Sequence, residues 1–457
     1  MQHPISITVD NNNVSLPVSE DGVMMMFIQG VSNPALQYNT AYLLTQLADG
    51  VALGLSEASD EANNVAMFQQ VNEFYDGGIN DGALLWLVIV PVGTAYATYC
   101  ASEQCAALIR YTGQATPVNR AKMLGVCYPV PQTTQSAGDF PADVLATIPV
   151  LQAQQQAMFK QGFQWSAIVD GYNMSSAVTP ATIGDMSTYG TFAVSLCITG
   201  TQPNGVSGVG LALGRFARIS VGHGFGEVAD GPVTTPSAYL TNGVAIGENI
   251  ISGTGGILQV GLTYLVFNAP VTYNNVAYQP GQSFVVVAGH TNFTTSAGGF
   301  VATGGTPVGT LSPTYIDQLG IKQYLFLRTW ANHAGFYWND GATCTSPTQQ
   351  LSSQEYNRVA NALSADALTF FIGEMGANLP INTATGSVSS SWLNVQQGQF
   401  QTSYINPLVN SGDISGGSMI ITGPNFNTTK TLNFTLTIVP TPILGSVTGV
   451  IQFSSTL

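Results

Sequence analysis

The sequence predicts an α/β layer built on a mostly parallel sheet, then a small all-β insert and a C-terminal section, α+β overall. Three observations carry this. Between Gly82 and about Asp230, continuous apolar runs alternate with helix-type runs, the pattern of strands buried on both faces and covered by helices. From Pro236 to Thr310 the texture turns to Gly, Thr and β-branched residues with no helical period. A chain of 457 residues is also too long for one ordinary core, so about two to four domains are expected.

Residues 1–30 read as an N-terminal strand arm. ISITVD, NNVSLPV and GVMMMFIQG are short β-type runs separated by Asp-Asn and Glu-Asp-Gly turns, too short to build a core alone. The α/β domain follows over residues 31–235. In SDEANNVAMFQQVNEFYDGG, Val65, Phe68, Val71 and Tyr75 fall near helical spacing, with Ser59 the expected N-cap and Gly77 the stop. ALLWLVIVPV, AKMLGVCYPV, QWSAIVDG and TFAVSLCIT read as buried strands. YCASEQCAALIRYTG, PADVLATIPVLQAQQQAMFKQG and GVGLALGRFARIS read as helices, the second restarting at Pro149.

In the insert, residues 236–310, APVTYNNVAYQPGQSFVVVAG alternates in polarity, with tight turns at Asn274-Asn275 and Pro280-Gly281. The C-terminal section covers residues 311–457 and begins at SPTYIDQLGI. QYLFLRTW is expected to cross to a second strand, GFYW, with Asn339-Asp340-Gly341 as the following turn. SSQEYNRVANALSADALTFFIGEMG is the best-patterned helix. Ser352 and Glu355 form a capping box, and Val359, Leu363, Ala367 and Phe370 make the apolar stripe. Glu355, Arg358 and Asp366 lie along one edge of that stripe. The chain closes on KTLNFTLTIV and SVTGVIQFSS, strands with no obvious local partner beyond each other.

Charge is the compositional anomaly: 7% of residues are charged, against roughly 25% in an average protein. The surface is therefore covered by uncharged polar residues, and few charges hold neighbouring copies apart. That suits a protein packed among its own copies, and equally a secreted one. With 24 acids against 10 Lys and Arg, singly scattered, no basic footprint exists for nucleic acid or for a membrane surface. The N-terminus has neither the positive nor the apolar region of a secretion signal. The longest apolar run, Ala83 to Val92, is too short to span a bilayer. The five cysteines lack ligand spacing and sit mostly in apolar runs, which predicts buried thiols and folding in a reducing cytoplasm.

Few residues suggest chemistry. GVGLALG (Gly208, Gly210, Gly214) lacks the last spacing of a dinucleotide fingerprint and the acid that should follow it, so close helix packing is the better reading. VGHGFGE places His223 and Glu227 in a Gly-rich turn, which suits a hydrogen-bonded loop histidine. In RTWANHAGFYWNDGATCT an acyl-transfer reading would use Cys344 as nucleophile, His333 as base and Asp340 as orienter. Nothing in the spacing makes them converge, and no basic neighbour activates the thiol. No catalytic residue, metal or cofactor is expected.

The ordered set of segments resembles the contractile tail sheath proteins of bacteriophages, in particular a divergent family of Bacteroidetes phages. SEDGVMMMFIQG resembles the family's N-terminal strand entering the first domain, VNEFYDGGINDGALLWLVIVPV its helix-turn-strand entering the α/β layer, and GLALGRFARISVGHGFGEVADGP the segment closing that layer. RTWANHAGFYWNDGATCT, SSQEYNRVANALSADALTFF, SGDISGGSMIITG and KTLNFTLTIVPTPILGSVTGVIQF follow the order of its C-terminal sheath domain. The insert separately looks like a β-module of phage structural proteins.

The resemblance implies a non-enzymatic subunit that stacks with copies of itself as hexameric rings in a helical sheath around a tail tube. Contraction would drive the tube through the host envelope. It further implies baseplate and tail terminator proteins as partners, no direct nucleic-acid contact and no membrane insertion. The location would be a virion tail assembled in the host bacterial cytoplasm. Terminal arms lend strands to neighbours in that family, which points to Ile5, Ile7 and Val9 and to Leu432, Phe434, Leu436, Val450 and Phe453. The tube-facing helix would carry Glu355, Arg358 and Asp366. Two alternatives stay open: another tail component such as a tube or baseplate protein, and an α/β hydrolytic enzyme.

Overall fold

The structure, a computed structural model, describes most of residues 22–442. Residues 1–21 and 443–457, the stretches 131–139, 173–182, 234–249 and 303–312, and several shorter ones are not described.

The chain enters as strand β1 (Met24–Gly30), passes through β2 (Ala41–Leu44) and helices α1 (Leu47–Ala52), α2 (Glu57–Asn63) and α3 (Met67–Tyr75), and returns as β3 (Leu85–Pro91). Helices α4 (Tyr96–Cys100) and α5 (Glu103–Ala115) lead to β4 (Met123–Cys127), and α6 (Ala142–Phe159) to β5 (Ser166–Asp170). Then come β6 (Val194–Cys197) and α7 (Val209–Arg218). After the insert, α8 (Pro313–Ile321) leads to β14 (Tyr324–Leu325), which pairs parallel to β6. The sheet order is β14-β6-β5-β4-β1-β3-β2, parallel throughout except for β2 at one edge. Buried side chains pack on both faces of it, as the unbroken apolar runs require.

Several expectations need correction. Met24–Gly30, expected as the end of an arm, is an inner strand flanked by β3 and β4. All seven of its residues are buried, a cost in backbone polar groups that only internal pairing offsets. The helix expected around Val65 is two helices. Asp60 accepts from the backbone N–H groups of Met67 (3.1 Å) and Gln69 (3.0 Å), so it caps α3 from α2. The chain must double back to allow this, and Asn64 does so in the left-handed region (φ 51°). Ser56, not Ser59, caps α2, and left-handed Asp76 ends α3, while Gly77 lies outside the described residues. Likewise α4 and α5 part at Ser102, whose hydroxyl accepts from the Cys105 N–H at 3.3 Å. Helix α6 does not restart at Pro149. Buried Val144, Thr147 and Ile148 before it and Leu151, Gln155 and Met158 after it hold both halves against the sheet, outweighing the ~3 kcal/mol cost of an internal proline.

Among its described residues the insert is all-β. Strands β7 (Ile250–Ser252), β8 (Thr263–Phe267), β11 (Ser283–Val285) and β13 (Phe300–Ala302) form one antiparallel sheet. Strands β9 (Val271–Tyr273), β10 (Val276–Tyr278) and β12 (Phe293–Thr295) form the other. Asn274 and Asn275, at φ 47° and 61°, make the two-residue β9–β10 turn, as their side chains allow. Pro280-Gly281 lies outside the described residues.

Beyond β14, strands β15 (Leu327–Trp330) and β16 (His333–Trp338) pair as a hairpin. Helix α9 (Gln354–Ile372) follows, then α10 (Ser390–Phe400), a π-turn at Gln401–Ile405 and α11 (Asn406–Ser411). The last described elements are β17 (Ile414–Thr422), α12 (Phe426–Thr429) and β18 (Asn433–Pro440). The partner of β18 is β17, antiparallel, so KTLNFTLTIV does have a local partner; SVTGVIQFSS lies outside the described residues. Helix α9, the π-turn and this β-pair share a small core centred on Leu363, Phe400, Ile405 and Ile421.

Candidate assembly surface and domain junction

The C-terminal domain is tied to the α/β layer by the loop after α7, the VGHGFGE segment. Gly222 N–H donates to Asp413 Oδ1 at 3.0 Å, and Phe225 N–H donates to Glu355 Oε1 at 2.7 Å. Arg215 Nε donates to the Phe225 carbonyl at 3.2 Å, and Arg358 Nη2 to the Ile219 carbonyl at 3.1 Å. Phe225 stacks on Phe216 (4.1 Å between centroids) and meets Trp338 of the hairpin at 5.0 Å. Glycine is needed because backbones nearly touch. A Cβ on Gly222 would lie 2.1 Å from the Asp413 carbonyl oxygen, and one on Gly226 would lie 2.4 Å from that of Asn339.

This junction corrects the reading of α9. Glu355 and Arg358 are 1% and 5% exposed, so neither forms a polar edge facing outward. Both point into the junction, Glu355 to hold the loop and Arg358 to cover Phe216, 5.5 Å from its centroid. Burial raises the Glu355 carboxyl above its usual range. Asp366 is half-buried, and the exposed positions of the helix lie toward its C-terminal end, at Leu368 and Ile372. Ser353, one residue after the expected cap, accepts from the Tyr356 N–H at 3.5 Å.

The suspected catalytic residues do not converge. His333 is exposed at the start of β16. Cys344 is fully buried, its N–H bonded to the Val194 carbonyl at 2.7 Å and its carbonyl to the Thr191 N–H at 2.8 Å. Burial pushes that thiol up to about 12, so it holds almost no thiolate at neutral pH. Asp340 sits in the turn between β16 and α9. His223 pairs with Glu227, Nδ1 to Oε2 at 3.1 Å, as a loop histidine. Gly210 and Gly214 allow α7 to lie on α3, where a Cβ would come within 1.9 Å of the Gln70 carbonyl and 2.3 Å of that of Phe74. Among the described residues no cluster of ligands suits a metal ion, and no helix is long and apolar enough to cross a membrane.

What the fold leaves open is the β17–β18 pair. Among the described residues each strand has one neighbour, so each has a free hydrogen-bonding edge. Leu432, Leu436 and Ile438 pack inward, and Phe434, 45% exposed, stacks on Phe371 at 5.0 Å. Ile420 and Val439 face outward. Of the residues expected in strand arms, Leu432, Phe434 and Leu436 therefore belong to this domain's own β-pair and its approach. Ile5, Ile7, Val9, Val450 and Phe453 lie outside the described residues.

No protein-family model and no curated protein matches the sequence. Solved structures do. The chain is similar over 100% of its length to a chain of the anti-feeding prophage baseplate, also covered over 100%, at 10% identity and a TM-score of 0.52. It is similar to the contracted helical sheath of the same prophage at 9% identity, TM-score 0.50 and 100% of both chains. The contracted sheath complex of an extracellular contractile injection system, PVC, matches at 12% identity and TM-score 0.50, over 100% of this chain and 98% of that one. The chain thus has the fold of the sheath proteins of contractile injection systems.

Proposed function

We propose that the chain is a structural subunit of a contractile tail sheath. It polymerises as stacked hexameric rings around a tail tube, and its contraction drives the tube through a host envelope. The observation that supports this best is likeness of fold, covering 100% of both chains, to a chain solved as a helical sheath. Two physical features agree with it. A surface with 7% charged residues offers little repulsion between copies. And the open edges of β17–β18 carry no charged residue of the kind that normally blunts an edge strand.

In this reading residues 1–21 and 443–457, with Ile5, Ile7, Val9, Val450 and Phe453, lend strands to the β17–β18 pair of a neighbouring copy. Tube contact falls to the outer end of α9, at Asp366, Leu368 and Ile372, through weak contacts that release on contraction. Baseplate and terminator proteins bound the polymer, the tail of a virion assembled in the host bacterial cytoplasm. The role is mechanical, not enzymatic. The likeness to a baseplate chain favours a second reading, a subunit that stops at a single ring. Negative-stain microscopy of the purified chain separates them. Striated tubes with a wide lumen support the sheath, isolated rings support the baseplate, and persistent monomers at high concentration count against both.

A further inference from the structure

Two carboxyl groups meet where the C-terminal domain is held to the α/β layer. Glu355, the second residue of α9, is 1% exposed. Its Oε1 accepts from the Phe225 N–H at 2.7 Å, while its Oε2 is buried with no hydrogen-bond partner among the described residues. The group lies against the backbone of Gly341, where an added Cβ would collide with it. The residue before Gly341 is the second acid, Asp340. Asp340 has an exposed face at the turn, yet its carboxyl is desolvated and feels the Glu355 charge. Solvent therefore reaches the pair from one side, and a proton can enter or leave there.

The surrounding groups leave this pair short of a donor. On α9, Arg358 acts on Glu355 through its charge, and the Ser353 hydroxyl just ahead of the helix favours the ionised form. On the loop after α7, His223 and Glu227 are exposed and pair with each other. Arg215 of α7 turns its Nε to the Phe225 carbonyl, and Asp413, just before β17, accepts from the Gly222 N–H. The Gly341 N–H serves Asp340. Two desolvated carboxylates side by side repel, and one proton between them removes the repulsion and supplies Oε2 with a donor.

We propose that Asp340 and Glu355 share one proton across the domain junction, and that its release as pH rises loosens the C-terminal domain from the α/β layer. On release the O–H bond between the two carboxyls is lost, the proton passes to solvent, and the like charges push Glu355 away from the Phe225 N–H. Burial, and then the Glu355 charge, pushes the Asp340 carboxyl from 3.8 up to about 7. The folded value is the higher one, so the contribution is full below 3.8 and lost as pH rises through about 7. The two groups titrate as a unit. The device belongs to the single chain and holds whether or not the chain assembles.

Hydrogen exchange at the Phe225 amide, expressed as protection relative to the unfolded chain, reads the junction. In the wild-type chain protection should fall at least about tenfold between about pH 5 and about pH 8.5. Asp340→Ser and Glu355→Gln each remove one titrating partner, and each should confine the change to within about threefold. His223→Asn, which removes the loop histidine, should keep the wild-type fall. Flat protection in the wild type, a full fall in either acid variant, or loss of the fall in His223→Asn overturns the proposal. Should one acid variant fail to fold, the other decides.

Discussion

Replacing Gly222 with alanine should loosen the C-terminal domain from the α/β layer while leaving both folded. The new Cβ would lie 2.1 Å from the Asp413 carbonyl oxygen and 2.6 Å from two further backbone atoms of that residue. Ordinary contact is near ~3.5 Å, so the two backbones must part by more than about 1 Å, and neither can swing aside as a side chain would. That movement breaks the 3.0 Å bond from Gly222 N–H to Asp413 Oδ1. Overpacking costs ~1–3 kcal/mol and loss of a hydrogen bond to a carboxyl group ~1.5–3 kcal/mol, so the junction weakens by about 2.5–6 kcal/mol. Hydrogen exchange reads this directly. Amides of Ile219, of residues 221–227 and at the start of β17 should exchange faster by about seventyfold to about twenty-thousandfold. Those of β1, β3 and β4 should not change. Exchange at the junction within about threefold of wild type would refute the reasoning.

Gly398→Ala makes the opposite test: its Cβ meets nothing within 4 Å on the exposed side of α10, so a gain of about 0.5–1 kcal/mol is expected. A lower urea midpoint would reveal a contact that the structure does not contain. Asp170 is fully buried, and burial pushes its carboxyl up from 3.8 to about 8. The raised value means the fold favours the protonated form. Its contribution is therefore full below pH 3.8 and lost as pH rises to about 8, so stability falls across that window. Asp170→Asn should flatten the dependence, and equal slopes of urea midpoint against pH for the two proteins would contradict this. Finally, all five cysteines are free and buried. Iodoacetamide should label none in the native protein and five after denaturation, counted by mass; rapid native labelling would show that a thiol is exposed.

Much of the layer was legible because its strands are unusual in being apolar at every position. LWLVIVP and MLGVC have no polar face to show, which is how strands between two helical layers read. The Asn274-Asn275 turn was equally plain, since side-chain chemistry fixes the backbone there. What failed was anything decided by a distant partner. MMMFIQG has the composition of an inner strand, but its proximity to the N-terminus suggested an arm, and only its pairing with β3 and β4 corrects that. Asp60 looked like an ordinary acid in one long helix until its carboxylate is seen to cap the next one. Glu355 and Arg358 misled for a related reason. Charge on a helix predicts a solvated edge, yet here both groups are spent on backbone partners supplied by residues 219–225, far away in sequence. The VGHGFGE glycines were visible, but not the backbones that press against them.

The central claim is that strands pass between copies, and a helical reconstruction by cryo-electron microscopy of tubes grown from the full chain tests it most directly. The account predicts that residues 1–21 and 443–457 leave their own subunit and extend the β17–β18 sheet of neighbouring ones. Tubes in which both segments fold back on their own subunit, leaving the edges of β17 and β18 unpaired, would contradict it.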